Sequence, residues 1–204
     1  MSLRRIAVSL SLALALGVAT PAAAQDPPPN PRVLVQTSEG DFEMELFRDE
    51  PSVIATVVNF LGYVRDGYYD GTVFHRTMRD LIIQGGGFTV DADDMLVAKT
   101  EGLRGPILNQ ASRNLQNRRG TVAMARGAGP NTARQQFFVN VDDNVSFDFK
   151  TPTPEGYGYA VFGRVTDGMN VVRDIARTRT GNQSGMQDVP NEPIIITSIT
   201  RIEE

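Results

Sequence analysis

Arg76, the apolar run Leu81-Ile82-Ile83, the side-chain amide of Gln84 and the glycines Gly85, Gly86 and Gly87 all fall within one short stretch, Phe74 to Thr89. An apolar run of this length reads as a buried strand. Three glycines straight after it signal a bulge or a close approach of backbone to another group. The stretch is therefore expected to hold a guanidinium and an amide at fixed positions beside an apolar floor. Both are hydrogen-bond donors and neither is a nucleophile. The rest of the chain offers little for nucleophilic or metal chemistry. It has one histidine, His75, so a Ser-His-Asp arrangement would depend on that residue alone. Adjacent strand residues face opposite sides. With Arg76 toward the site, His75 is expected to face away as a hydrogen-bonded core residue. Cysteine is absent, which excludes disulfides, thiolate nucleophiles and thiolate metal sites. The acids Asp91, Asp93 and Asp94 lack the ligand spacing of a calcium loop and read as a solvated loop. No metal and no cofactor are expected.

The elements that must position these groups are mostly short strands. Val33 and Val35 alternate with polar neighbours, Ser38-Glu39-Gly40 reads as a turn, and Phe42, Met44 and Leu46 alternate with acids. That pattern predicts a hairpin with one wet face. Pro51 opens a helix, with Val53, Ile54, Val57, Val58, Leu61 and Val64 along its inner side and Gly67 as its terminator. Thr89 to Arg119 reads as loop. Strands are expected again at Thr121 to Ala125, Gln136 to Val141 and Ala160 to Val165, then a short helix over Met169 to Arg177. A Gly-rich loop, Gly181 to Gly185, precedes a last strand, Ile194 to Ile202. Many short strands with only two helices predict a mainly β protein, a closed antiparallel barrel.

Three blocks carry a family resemblance. FHRTMRDLIIQGGGFT (Phe74 to Thr89) resembles the pattern F-H-R-x-x-x-x-F-x-x-Q-G-G-D-F-T of the cyclophilin-type peptidyl-prolyl cis-trans isomerases. GTVAMARGAGPNTARQQFFVNV (Gly120 to Val141) and YGYAVFGRVTDGMNVV (Tyr157 to Val172) resemble two further blocks of that family, in its order and spacing. The resemblance implies an eight-stranded barrel capped by two helices. It implies rotation about X–Pro peptide bonds, whose barrier of about 18–20 kcal/mol comes from amide resonance. Arg76 would donate to the prolyl nitrogen as that nitrogen leaves resonance, an acceptor present only in the transition state. A hydrogen bond to a charged group contributes roughly 1.5–3 kcal/mol, which is about ten- to a hundredfold in rate. A dry apolar pocket must supply more.

Carried over onto this chain, Arg76 and Gln84 are the catalytic pair. Leu81, Ile82, Phe138 and Phe147 would enclose the proline ring with Met124 close beneath, and Tyr159 stands at the position of a frequent active-site histidine. Gln84 and Gln136 would contact the substrate backbone, and the main chain at Ala125 and Arg126 would pair with the peptide. The bland alternatives are core packing for Ile82, Met124 and Phe138, and a surface ion pair for Arg76. The chain also departs from the family. Leu81 replaces the usual aromatic, Arg79-Asp80 the usual Pro-Gly or Pro-Asn, and Arg126 to Gly129 is one residue longer. Ser146 and Phe147 align where eukaryotic members carry Trp-Leu, so the indole associated with tight cyclosporin binding is missing and weak inhibition is expected.

The ends of the chain complete the expectation. Arg4-Arg5, an apolar run from Ile6 to Ala19 and Ala22-Ala23-Ala24 form the three-part layout of a secretory signal peptide over residues 1–24. A Pro-rich lead (25–31) and the barrel domain (32–204) follow. Cleavage would move the formal net charge from −4 to −6, which disfavours nucleic acid as a partner. An exported, periplasmic or secreted monomer is expected, off the membrane once cleaved, acting on proline-containing peptides and unfolded exported proteins. The competing reading is a cyclophilin-like barrel that binds Pro-containing segments as a chaperone or adaptor with little turnover.

Overall fold

Alternating apolar and polar residues give strands one face for a core and one for other uses. The computed structural model describes residues 29–203; the expected signal peptide and most of the Pro-rich lead fall outside them. In chain order the elements are β1 (Arg32–Thr37), β2 (Gly40–Leu46), α1 (Ile54–Arg65), β3 (Thr72–Met78), β4 (Ile82–Gly85), β5 (Phe88–Val90), β6 (Leu96–Ala98), β7 (Thr121–Met124), β8 (Phe137–Asn140), β9 (Val161–Asp167), α2 (Met169–Ala176), β10 (Thr180–Gln183), β11 (Met186–Pro190) and β12 (Ile195–Ile202). Eight of them close a barrel in the order β1-β12-β3-β4-β8-β7-β9-β2. Every pairing in it is antiparallel. The expected closed eight-stranded barrel with two helices is what the chain forms.

One face of each strand fills the interior: Val33 and Val35, Phe42, Met44 and Leu46, Phe74, Ile83, Val122 and Met124, Phe137 and Val139, Phe162, Ile196 and Ile199 are all buried there. Helix α1 adds Phe60, whose ring lies 5.1 Å from Phe162, 5.5 Å from Phe137 and 5.2 Å from Tyr69. Burying each such side chain stabilises the fold by roughly 1.5–3 kcal/mol. Helix α2 seats Val172 and Ile175 in the same core.

Four expectations need correction. The inner face of α1 is Thr56, Val57, Asn59, Phe60, Tyr63 and Val64, while Ile54 and Val58 are 43% and 61% exposed. The two large aromatics set the phase of the helix, and the aliphatic spacing alone did not reveal it. The segment read as loop after Thr89 contains the second strand of the β5–β6 hairpin. Its turn is built by the Asp91 carboxylate, which accepts from the backbone N–H of Asp93 and Met95 at 3.0 and 2.9 Å. The Gly-rich loop over 181–185 is likewise half strand, with Ser184-Gly185 as the tight turn between β10 and β11, both at positive φ. Asn30 and Pro31, read as part of the lead, are tied to the barrel: Asn30 donates to Glu45, and the Pro31 carbonyl accepts from Leu46 N at 2.9 Å.

Candidate active site

The site lies on the outer face of the barrel, and a single irregularity sets it up. On β3 the register runs from Phe74 opposite Gly85 to Arg76 opposite Gln84, so His75 is an extra residue in a bulge. Without that bulge Phe74 and Arg76 would share a face. With it Phe74 points into the core and Arg76 out. From Arg76 one row of cross-strand partners then crosses five strands. Arg76 faces Gln84, Gln84 faces Phe138, Phe138 faces Ala123, and Ala123 faces Val161. A guanidinium, an amide and an aromatic ring are thereby lined up beside an apolar shelf.

The shelf is a second apolar cluster, separate from the interior. Ile82, Ala123, Ala125, Phe138 and Val161 are buried in it, and Leu81, Phe147, Tyr159, Phe47, Met78 and Leu115 pack against it. Three rings meet edge to face: Phe138 with Phe147 at 5.7 Å, Phe138 with Tyr159 at 5.4 Å, and Phe147 with Tyr159 at 5.1 Å. Such an arrangement offers both a ring face and ring edges to an apolar guest.

The polar edge is equally fixed. Gln84 Nε2 donates to Gln136 Oε1 at 2.9 Å. The glycine triplet makes the close approaches expected of it: a Cβ at Gly85 would lie 2.9 Å from the Phe74 ring, one at Gly86 2.8 Å from the Tyr69 ring, and one at Gly87 would run into the Gln136 amide. Tyr69 Oη, whose pKa burial raises well above the usual phenol value, donates to the Gln135 carbonyl at 2.8 Å and so anchors the residue before Gln136. Gln84, Ala125, Arg126, Thr132, Arg134 and Gln136 line a cleft of about 340 Å³ beside the shelf. Arg126 spreads its guanidinium 4.9 Å over the Tyr159 ring and donates to the carbonyls of Gly158 and Pro154 at 3.0 and 3.3 Å. It thus clasps the loop that delivers Tyr159.

Among the described residues the counter-charge beside Arg76 is Asp188, whose carboxylate lies 3.5 Å from the guanidinium, both side chains being partly exposed. The bland ion-pair alternative for Arg76 is therefore present together with its place in the row. His75 is buried as expected, but as the extra residue of the bulge and without the expected hydrogen bond at Nδ1. It packs against Phe88, ring centroids 4.7 Å apart. Burial pushes its pKa down to about 4; the Val73 backbone opposes that shift without the geometry of a hydrogen bond to Nδ1.

Arg76, Leu81, Ile82, Gln84, Ala125, Phe138, Phe147 and Tyr159 are thus gathered on one face, with Arg126 and Gln136 at its margin. Met124 is not brought to them. Strand alternation turns it inward, where it is 1% exposed in the core cluster. Among the described residues no group of three or more His, Asp or Glu is placed to hold a metal ion. No helix among them is long and apolar enough to cross a membrane. The model of the cyclophilin type peptidyl-prolyl cis-trans isomerase/CLD family matches residues 32–201. The chain belongs to this family.

Curated relatives agree. Peptidyl-prolyl cis-trans isomerase cyp18 of Streptomyces antibioticus is 47% identical over 166 residues, covering 81% of this chain and 95% of that protein. Peptidyl-prolyl cis-trans isomerase B of Escherichia coli is 43% identical over 168 residues, covering 82% and 98%. Among solved structures, a cyclophilin type peptidyl-prolyl cis-trans isomerase of Cryptosporidium parvum, determined in the presence of the dipeptide Ala-Pro, superposes with a TM-score of 0.66. It is 25% identical and covers 85% of this chain and 99% of that one.

The sequence reading missed several residues that this isomerase uses to hold its site. Ala123 and Val161 extend the shelf, and the available signal was their two-residue spacing from Ala125 and Tyr159. A chain of buried amides fixes two of the walls. Asn144 Nδ2 donates to the Leu81 carbonyl at 2.9 Å and to Asn140 Oδ1 at 2.7 Å. Asn140 Nδ2 donates to Asn117 Oδ1 at 3.2 Å, and Asn117 Nδ2 to the Phe147 carbonyl at 3.0 Å. Apart from Asn140 and Asn144, four residues apart, these partners are far apart in sequence.

Proposed function

We propose that this isomerase rotates X–Pro bonds by seating the proline ring against Phe138, Phe147 and Tyr159 while Arg76 donates to the prolyl nitrogen. The observation that carries this is the cross-strand row Arg76–Gln84–Phe138, which sets a permanent cation beside an apolar ring shelf. In the planar amide the nitrogen lone pair is tied up in resonance and accepts poorly; at the twisted geometry it is free. A donor fixed there stabilises the transition state over both ground states. Gln84 and Gln136 serve the peptide backbone, and the main chain of Ala125 and Arg126 borders the same cleft. No step transfers electrons or forms a covalent bond.

The signal-like amino terminus supports export, and clients would be exported proteins whose folding waits on proline isomerisation, a step of about 10–100 s uncatalysed. The test is isomerisation of a short Ala-Pro peptide by the chain from Gln25, alongside Arg76→Ala. The variant is expected to lose about ten- to a hundredfold in turnover while keeping peptide binding. Peptide binding without turnover by the folded parent chain would instead leave a proline-peptide binder, and export is read separately from the mature amino terminus in cell fractions.

A further inference from the structure

We infer that Asp188 is a positioning residue for the Arg76 guanidinium, delivered there by a backbone conformation that favours glycine. This rests on the reading of Arg76 as the catalytic donor. Three observations converge on it. First, in the β10–β11 hairpin Gly181 pairs with Val189 and Gln183 with Met186, so Asn182 alone stands against both Gln187 and Asp188. Asp188 lies in a bulge and holds φ at 61°. A bulge residue in the left-handed region is ordinarily glycine, because a Cβ there is strained. Second, the side chain that bears this strain reaches Arg76, its carboxylate 3.5 Å from the guanidinium. Third, β11 packs against β3, the strand that carries Arg76, so the hairpin as a whole holds the carboxylate beside the guanidinium, while β4 brings Gln84 to the same residue by cross-strand pairing.

Arg79, Arg177 and Arg179 line the open cleft that Asp188 shares with Asp80. Among the described residues none of those arginines comes within ion-pair distance of Asp188. The carboxylate therefore serves Arg76. Arginine has four rotatable side-chain bonds and a planar fork, and its donation is useful only when the fork is aimed. One edge held by Asp188 leaves another directed at the proline site. Backbone strain of this kind persists where the surrounding structure enforces it, and a carboxylate aimed at the catalytic guanidinium gives the strain a use.

The experiment compares Asp188→Gly, Asp188→Asn, Arg76→Ala and the double variant Arg76→Ala/Asp188→Gly in the mature chain. Turnover and affinity for an Ala-Pro peptide are measured together with thermal stability. Asp188→Gly suits the backbone better, so it is expected to melt no lower than the parent while kcat falls about five- to tenfold and KM stays unchanged. Asp188→Asn, which keeps the shape and one acceptor oxygen, is expected to fall less. In the Arg76→Ala background Asp188→Gly is expected to change nothing. Parent-like turnover by Asp188→Gly beside a crippled Arg76→Ala overturns the proposal alone, as does an equal loss in both backgrounds. Full turnover by Arg76→Ala overturns the catalytic reading of Arg76 and this proposal with it.

Discussion

Gln84 Nε2 donates to Gln136 Oε1 at 2.9 Å, joining β4 to the residue that precedes β8. That bond leaves the Gln84 side-chain oxygen as an acceptor and the Gln136 amide as a donor, a matched pair for one peptide group. The approach of Gly87 to the Gln136 amide is what sets the pair's position. Gly87 holds no positive φ, so alanine fits its backbone, and the nearest atoms its Cβ would meet are those of the Gln136 side chain from Cγ outward, which must swing aside. Gly87→Ala is expected to melt within a few degrees of the parent, since replacing glycine at a compatible site itself contributes about 0.4–1 kcal/mol. Its kcat/KM is expected to fall about tenfold, the worth of one misplaced hydrogen bond. Parent-like turnover would show that the amide pair is not needed in this geometry.

Gly86 should give the opposite profile. It sits at φ +83°, and a Cβ there would press on the Tyr69 ring, itself packed edge to face on Phe137 at 5.5 Å. Strain and overpacking add, so Gly86→Ala is expected to cost about 2–4 kcal/mol. Chemical denaturation reads this directly, and a loss below about 0.5 kcal/mol would mean that both the backbone at residue 86 relaxes out of the left-handed region and the Tyr69 ring has room to retreat.

The buried amide chain makes a third, separable prediction. Asn144 is 5% exposed and donates both to the Leu81 carbonyl and to Asn140. Asn144→Ala leaves the Asn140 Oδ1 acceptor without its donor, at about 1–3 kcal/mol before any relaxation, while the Leu81 carbonyl keeps the Val141 N–H at 2.9 Å. For a chain of this size 1 kcal/mol is worth about 2–4 °C, so a drop of several degrees is expected. Because Leu81 walls the proline shelf, KM should rise more than kcat falls; kinetics unchanged at a temperature well below melting would confine Asn144 to stability.

Some of this was legible in the sequence, for physical reasons that differ by element. The barrel followed from period-two patterning, and Arg76, Gln84 and Phe138 from their places in two of the motif blocks. Their arrangement in one row was not legible, because it depends on the bulge at His75. Period-two reasoning assumes an unbroken ladder, so it foresaw a buried His75 but gave no register for Arg76 against Gln84. The same rule, properly applied to β7, separates Ala123 and Ala125 from Met124, a distinction that motif membership alone obscured. Asp188 lay in a segment read as a glycine loop and its neighbours, and only the hairpin register shows that it reaches Arg76.

His75 yields the last prediction, on pH. Its ring is 4% exposed, and burial pushes its pKa down to about 4 from an ordinary 6.5. Between those values the unfolded chain binds a proton that the folded chain does not. Stability therefore rises with pH across this window, is fully present above pH 6.5, and is lost as pH falls toward 4. The shift corresponds to roughly 3 kcal/mol, or about 6–12 °C in melting temperature. Asp66, whose carboxyl is held below its usual range by hydrogen bonds from Arg104 and Arg65, adds a loss of the same sign at lower pH. His75→Leu removes the first contribution and leaves the second. Its melting temperature is expected to be nearly flat from pH 7 to pH 5, where the parent falls steadily, whatever its absolute value at pH 7. Turnover by the parent at 10 °C should stay level over the same range, since the rotation transfers no proton and the histidine has no part in it. Parallel melting curves for parent and variant would mean that the His75 ring is hydrated enough to titrate normally, and a drop in turnover that tracks pH 6.5 would give the histidine a part in the chemistry.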